Sequence, residues 1–429
     1  MLSARSLGTL LVALSFAGCG SPELASRQER IVLVVIDTLR ADHVSPHSPR
    51  RRTPHFARLA EKGQVFERAS GSYYQTTMSM ASLFTGRTPS LEGTSRTAPL
   101  AWTGKNWCGL RRFAREGLDD SCIPESLPTL AGRLREAGYW TVGVVTNTLL
   151  FQPRGFERGF DEWVEVGRLA PAVAVPGYQV GLAEDRSAER ANENVAWLLD
   201  QRPTDHFFLY VHYMEAHDYL AHGISYAHGV HRADAALGEL LGLLEARSLL
   251  EGTTLFVVSD HGERLEEEHF TKGGPLHYGN PAFEEVLHVP FLVSPPIAGV
   301  DAQAALRGDD VHRLVLMTGG VTHPGPKDLE DGELFTSERY YQTYRKGRFK
   351  SYWRRRDGRH FLVDLEADPG EKNDAATRHP EVLARHAERM ADLSRDLALR
   401  TADASELSDD DAKRLEALGY VLPDAHAPE

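Results

Sequence analysis

The chain has 429 residues, with 48 Lys and Arg against 61 Asp and Glu, a formal charge of −13 and an isoelectric point near 5.8. That balance argues against nucleic acid as a partner, because bulk affinity needs a basic surface; only a local basic pocket stays open. At 41% hydrophobic and 25% charged, the composition is that of a globular protein, long enough for one large domain with an appendage.

In chain order, the first stretch is MLSARSLGTLLVALSFAGCGSPELAS. Arg5 precedes a mostly apolar core over residues 7–17, too short to span a bilayer as a mature helix. The ending SFAGC resembles a bacterial lipoprotein signal. On that resemblance residues 1–18 are a signal peptide, Cys19 is lipidated, and residues 19–29 are a linker. The protein is then exported and lipid-anchored in the bacterial cell envelope, periplasmic or on the outer surface. An ordinary secretory signal is the alternative. In an exported protein Cys108 and Cys122 form a candidate disulfide, with two free thiols as the alternative.

Strands are expected at 31–36 (IVLVVI), 140–147 (WTVGVVTN), 206–214 (HFFLYVHYM), 253–260 (TTLFVVSD) and 289–294 (VPFLVS). The uninterrupted, β-branched run over 31–36 suits a strand buried on both faces. Helical patterns lie between them at 53–63, 126–138, 187–201 and 231–252. The first two open on Thr53-Pro54 and on Ser126, and both close on Gly. This alternation predicts an α/β fold: a large, mostly parallel sheet with helices on both faces. From about residue 330 the texture changes. Aromatic and basic segments with turns at Lys346-Gly347 and Asp357-Gly358 predict a small antiparallel meander, followed by an amphipathic helix over 379–400. The domain division expected is 30–325 for the large domain and 326–429 for the C-terminal subdomain. The cluster 354–356 (RRR) reads as a solvated strand end, with a substrate or lipid-headgroup contact as the alternative.

Polar residues gather at three strand ends. Asp37 ends the first strand, Asp260 and His261 end the fourth, and Glu215, His217 and Asp218 follow the third. In a parallel sheet such ends share one edge, where open α/β sheets bind ligands. Two carboxylates and an imidazole form half a shell for a divalent cation; satisfied strand-end polar groups are the alternative.

VLVVIDTLRADHVS, then TPHFARLAEKGQVFERAS, then ASLFTGRTPS resemble the sulfatase family of the alkaline phosphatase superfamily. LPTLAGRLREAGYWTVGVVTN, GFERGFDEW, FLYVHYMEAHDY, VVSDHGE, EEVLHVPFLV, FLVDLEADPGEKND and LSDDDAKRLEALGYV extend the resemblance over roughly 30–420. It implies the large α/β domain with a small C-terminal antiparallel sheet and helix. It also implies one divalent metal ion on Asp37, Asp260 and His261, joined by the nucleophile. Sulfatases usually carry two adjacent aspartates at the first motif, and here the second is Thr38. They often carry Asn where this chain has His261. Both departures favour Mn or Zn, with Ca possible.

In the family the block before L-x-T-G holds a Cys or Ser that is oxidised to formylglycine. Here that slot falls on Thr76, followed by Thr77, Met78, Ser79 and Met80. Formylglycine cannot form from threonine. Thr76 is instead expected to attack directly as a metal-supported alkoxide, with a one-residue slip to Thr77 as the alternative. A threonine ester must be cleaved by water and lacks the elimination route open to formylglycine, which favours a phosphoester over a sulfate ester. His217 and His277 are the expected proton-transfer groups, with His269 a rival to His277, and Asn147 is a candidate substrate contact. The function expected is a metal-dependent hydrolase of a phosphate or sulfate ester, acting on a small-molecule, glycan or lipid substrate. The alternatives are a headgroup phosphotransferase of the same superfamily and a non-catalytic glycan- or lipid-binding lipoprotein.

Overall fold

The computed structural model describes residues 28–88, 122–123, 127–152, 155–166, 186–271, 281–322, 327, 329–337 and 340–396. Seven strands form the large sheet: β1 (Arg30–Ile36), β2 (Gln64–Val65), β3 (Trp140–Val145), β4 (Glu162–Glu165), β5 (Phe207–Tyr213), β6 (Thr253–Val258) and β7 (Phe291–Ser294). Their order is β2-β7-β6-β1-β5-β3-β4. The central pairs are parallel, while β7 runs antiparallel to β6 and β2 to β7. This is the mostly parallel α/β sheet expected from the sequence. The chain crosses from β5 over β1 to β6, so β1 is the switch point at which such sheets open a crevice.

All six residues from Ile31 to Ile36 are fully buried. Ile31, Leu33 and Val35 face α2 (Thr76–Thr85), α3 (Leu130–Glu136) and α7 (Gly308–Thr318). Val32, Val34 and Ile36 face α1 (Pro54–Lys62), α4 (Ser187–Gln201) and α5 (Tyr226–Ala246). Each such side chain contributes on the order of 1.5–3 kcal/mol by leaving water, which holds β1 rigidly at the centre. Two boundaries correct the expectation, and the first is that the helix expected at 231–252 runs instead over Tyr226–Ala246, capped by Ser225. The α3 helix is capped by Thr129, whose hydroxyl accepts from Gly132 N, and not by Ser126, which lies outside the described residues.

A short helix, α6 (Glu284–Leu287), precedes β7, and the second sheet follows α7. It is antiparallel, in the order β11-β10-β9-β8: β8 (Glu333–Ser337), β9 (Tyr341–Lys346), β10 (Phe349–Arg354) and β11 (Arg359–Asp364). Its tight turns rest on Gly347 and Gly358, both at positive φ. Helix α8 (Pro380–Asp396) covers one face through Met390 and Leu393. Hydrogen bonds that tie the small sheet to the large domain include Tyr73 Oη donating to Ser337 O (2.9 Å) and Arg345 to Ser70 Oγ (2.6 Å). Among the described residues no helix is long and apolar enough to cross a membrane.

Candidate active site

Four adjacent strands deliver the site. Asp37 follows β1 and donates its N–H to Tyr213 O of β5 (2.9 Å). Thr38, next in line, has φ 57°, a left-handed conformation that a β-branched residue rarely adopts. The turn is secured all round. Thr38 N donates to Asp260 Oδ1 (3.2 Å), Thr38 Oγ1 to the Asp37 carbonyl (2.7 Å), and Tyr226 Oη to the Thr38 carbonyl (2.6 Å). The Thr38 hydroxyl is thus directed at backbone, in the slot where an adjacent aspartate would otherwise stand. Asp260 and His261 follow β6, and Gly262 makes their turn possible, since a Cβ there would lie 2.0 Å from Glu285 O.

Thr76 enters from the other side as the first residue of α2, whose ten residues are all buried. The helix ends on Gly86 at φ 68°, a common left-handed stop. Ser79 accepts from Tyr73 N (3.0 Å) and donates to Tyr73 O (2.7 Å), locking the loop before Thr76. At the first helical position Thr76 sits at the positive end of the helix dipole, beside N–H groups without helical partners. Its Oγ1 lies 3.3 Å from Asp37 Oδ2 and 3.3 Å from His261 Nε2.

His261 Nδ1 donates to the Gly262 carbonyl (2.8 Å), so Nε2 presents a lone pair. That nitrogen lies 3.5 Å from Asp260 Oδ2 and 3.9 Å from Asp37 Oδ1. Both carboxylate oxygens are buried without a hydrogen-bond partner. Three acceptors therefore converge where the Thr76 hydroxyl supplies a single proton. Such a knot of lone pairs fits a divalent cation and little else, and ligand atoms of Asp37, Asp260 and His261 all lie within 4.8 Å of one another.

Burial opposes ionisation of Asp37, yet the hydrogen bond from His212 and the nearby His217, His212 and His261 hold its pKa below the usual carboxylate range. Burial and then the Asp37 charge push Asp260 the other way. His212 and Asn147 are the supports. Tyr210 Oη donates to His212 Nδ1 (2.7 Å), His212 Nε2 to Asp37 Oδ2 (3.0 Å), and Asn147 Nδ2 to the same oxygen (2.7 Å). Asn147 Oδ1 also accepts from Leu149 N (2.8 Å), so its amide is engaged within the protein. His212 was not legible beforehand; its one signal is a polar residue inside a strand otherwise buried on both faces.

His217 is buried, with Nδ1 donating to Asp218 Oδ1 (2.8 Å). Burial alone would lower its pKa, but the Asp218 hydrogen bond and the charges of Asp37, Asp218 and Glu263 push it up to about 9. Glu215 takes a structural post, accepting from Ser187 Oγ (2.8 Å) and Ala188 N (2.7 Å) at the start of α4. His269 contacts Glu285 Oε1 (2.6 Å) and the Gly370 carbonyl (3.1 Å) and stacks on Phe283. The contacts to Asp37 and His261 belong to Thr76, not to Thr77. Cys122 is disulfide-bonded; its expected partner Cys108 lies outside the described residues, as do Cys19 and His277.

A large α/β sheet thus carries a metal-ready acceptor cluster beside a helix-borne hydroxyl. The sulfatase family profile matches residues 29–307, and the chain belongs to the sulfatase family. The N-acetylgalactosamine-6-sulfatase of Canis lupus familiaris is 27% identical over 303 residues, 60% of this chain and 54% of the relative. The chain thus spans about half the length of that curated relative. Among solved structures, Ps i-CgsB in complex with k-i-k-neocarrahexaose superposes with a TM-score of 0.62 at 17% identity, over 92% of this chain and 98% of the other. The phosphonate monoester hydrolase of Agrobacterium radiobacter gives 0.57 at 16% identity, over 89% and 99%. At these identities the two structures establish the fold.

Proposed function

We propose that this protein is a divalent-metal-dependent hydrolase of a phosphate or sulfate ester, with Thr76 as the nucleophile and a phosphoester preferred. The observation that supports it most is the Thr76 hydroxyl 3.3 Å from both Asp37 and His261, beside two unpartnered buried carboxylate oxygens. Asp37, Thr76, Asp260 and His261 would hold the ion, Mn or Zn in preference to Ca, which supplies positive charge that favours the alkoxide and the anionic transition state.

The chain's own groups do the rest. Thr76 Oγ1, its hydroxyl proton already released to solvent, attacks phosphorus or sulfur as an alkoxide, aided by the N-terminal N–H groups of α2, and the bond from that atom to the ester oxygen breaks. The ester oxygen leaves with a proton from His217, whose pKa the Asp218 hydrogen bond and neighbouring carboxylates push up to about 9. Water then cleaves the threonine ester and gives its proton to the now neutral His217, restoring Thr76 and releasing phosphate or sulfate. His277 is the second candidate for proton transfer. Tyr210, His212 and Asn147 position Asp37, directly or through one another. The dog relative is a sulfatase and the Agrobacterium protein a phosphonate ester hydrolase, so a choice between phosphoryl and sulfuryl chemistry is the natural question for this site.

We further propose export and lipid anchoring through Cys19 in the bacterial envelope, and a division between the large domain and the C-terminal subdomain at 325/326. The substrate is a small-molecule, glycan or lipid ester. The deciding experiment is a panel of aryl phosphate monoester, phosphodiester, phosphonate and sulfate substrates with Mn, Zn or Ca. Phosphoester turnover above sulfate turnover, with the added mass of a trapped intermediate on Thr76, is expected. Turnover of sulfate esters alone would end the phosphoester preference, and a label on Thr77 would move the nucleophile.

A further inference from the structure

Away from the acceptor cluster, the 45–53 loop and the first turns of α5 enclose a cavity of about 210 Å³. Arg50, Arg51, Arg52, His43 and His231 line it above Val230, and no carboxylate does. In a chain of net charge −13 this is a concentrated cationic site.

The loop is built, not loose. Ser45 N donates to Thr53 Oγ1 (2.7 Å), Thr53 N to Ser45 Oγ (3.0 Å), and Ser45 Oγ to Arg51 O (2.8 Å), closing its neck. Arg51 is fixed as well, donating to the Asp42 carbonyl (3.3 Å) and to His43 Nε2 (2.9 Å). A guanidinium only donates, so His43 Nε2 accepts and Nδ1 donates to Asp42 Oδ1 (2.9 Å). Asp42 is also gripped by Arg40 through both carboxylate oxygens (2.9 Å each). Asp42, the carboxylate next to His43, is therefore committed elsewhere. Arg50 and Arg52 are exposed and have no ion-pair partner among the described residues. Arg354 in the other arginine cluster is instead paired with Asp357 (2.6 Å).

The cavity adjoins the catalytic turn. Tyr226, the residue before Ala227 in the cavity wall, donates to the Thr38 carbonyl, accepts from Arg40 N (2.9 Å), and meets the His43 ring edge-on at 4.9 Å. Two unpaired guanidiniums, held on a closed loop with only donors pointing outward, match the oxygens of a sulfate or phosphate group.

We propose that this cavity is an anion subsite engaging a second sulfate or phosphate group of a polyanionic glycan substrate while another ester is presented to Thr76. The inference rests on the ester-hydrolase reading for its biological sense, but its test measures binding alone. In the full-length Thr76→Ala protein, which lacks the proposed nucleophile, a heparin-derived oligosaccharide is titrated calorimetrically at several salt concentrations. The Arg50→Glu/Arg52→Glu variant should bind at least about tenfold more weakly, with a shallower salt dependence because fewer counterions are released. Arg378→Glu/Arg385→Glu on and beside α8 makes the same charge change elsewhere and should stay within about twofold, since exposed charges beyond a Debye length are screened. Equal losses in both variants would reduce the effect to net charge and overturn the subsite. Undiminished binding by Arg50→Glu/Arg52→Glu would overturn it too. So would a wild type that ignores the oligosaccharide and binds phosphatidylglycerol vesicles through these arginines, which would make the cavity a membrane contact. Failure of the ester panel with intact, Arg50- and Arg52-dependent binding would instead leave the subsite standing and fault the catalytic reading.

Discussion

Glu333 and Glu371 beside the small sheet, and Asp37 and Asp260 at the edge of the large one, are all buried carboxylates in different company. Glu333 accepts from Arg389 (3.0 and 2.8 Å), Tyr344 (2.7 Å) and Glu330 N (3.0 Å). Glu371 accepts from Tyr352 and from Glu284 N (2.6 Å), with Lys350 3.2 Å away; Lys350 also reaches Glu284 at 2.8 Å. Every oxygen there has a donor. At the large-sheet edge one oxygen of Asp37 and one of Asp260 have none. A completed network holds a structure together; an incomplete one, held in place by rigid strands, is a request for a ligand.

The largest way to break this contrast is chemical. Thr76→Ala should cost turnover by at least about 10³-fold while substrate binding stays near normal, because it removes a bond formed only in the reaction. Thr76→Ser should keep part of the activity. Steady-state rates and ligand titration check both, and an alanine variant of wild-type speed would hand the attack to Thr77 or water.

Next comes stability. Lys350→Met should destabilise the fold by about 3–5 kcal/mol in denaturant melts, since it leaves the buried Glu371 without its cation and the half-buried Glu284 with Arg345 alone. Asp260→Asn, measured without metal, should cost far less, because it removes a buried charge that repels Asp37 while an amide oxygen can still accept from Thr38 N and His261 N. A large loss for Asp260→Asn with a small one for Lys350→Met would invert the comparison.

Metal addition should sharpen it. At a hundredfold excess over its dissociation constant, Mn or Zn should stabilise the wild type by about 2.7 kcal/mol. Asp37→Asn and Asp260→Asn should lose that gain, and an unchanged gain in either would remove it from the ligand set.

The smallest effect is on acid stability, with one histidine in each region. Burial, then the neighbouring His288, lowers His47 from 6.5 to about 4; burial, then Arg385, does the same for His386. The unfolded chain binds these protons first. The stabilisation is therefore complete above about pH 6.5 and drains away as pH falls through about 4. His386→Phe should flatten the melting profile across that window, and an unaltered slope would show that His386 does not titrate there.

The parts of the fold that could be read ahead share a cause. Strands β1, β5 and β6 are runs of β-branched, aliphatic and aromatic residues because both faces are covered, and α4 begins and ends as its pattern predicts. Helix α2 was not legible: buried on every side, it carries no amphipathic stripe, and its threonines do not favour helix. β2 has two residues and β4 is a charged edge strand, too short or too polar to announce themselves.

Local sequence determined where Asp37, Asp260 and His261 leave their strands, because alternation and apolar runs act over a few residues. It also determined that a threonine, not a cysteine or serine, stands in the slot before L-x-T-G, which is a matter of covalent identity alone. Tertiary structure decided what those residues meet. Only the strand order β6-β1-β5-β3 brings His212 and Asn147 onto one oxygen of Asp37 while leaving its other oxygen bare. Only packing across hundreds of residues decided which arginines found carboxylates and which, like Arg50 and Arg52, did not. Charge pairing depends on distance in space, and one-dimensional spacing does not encode it.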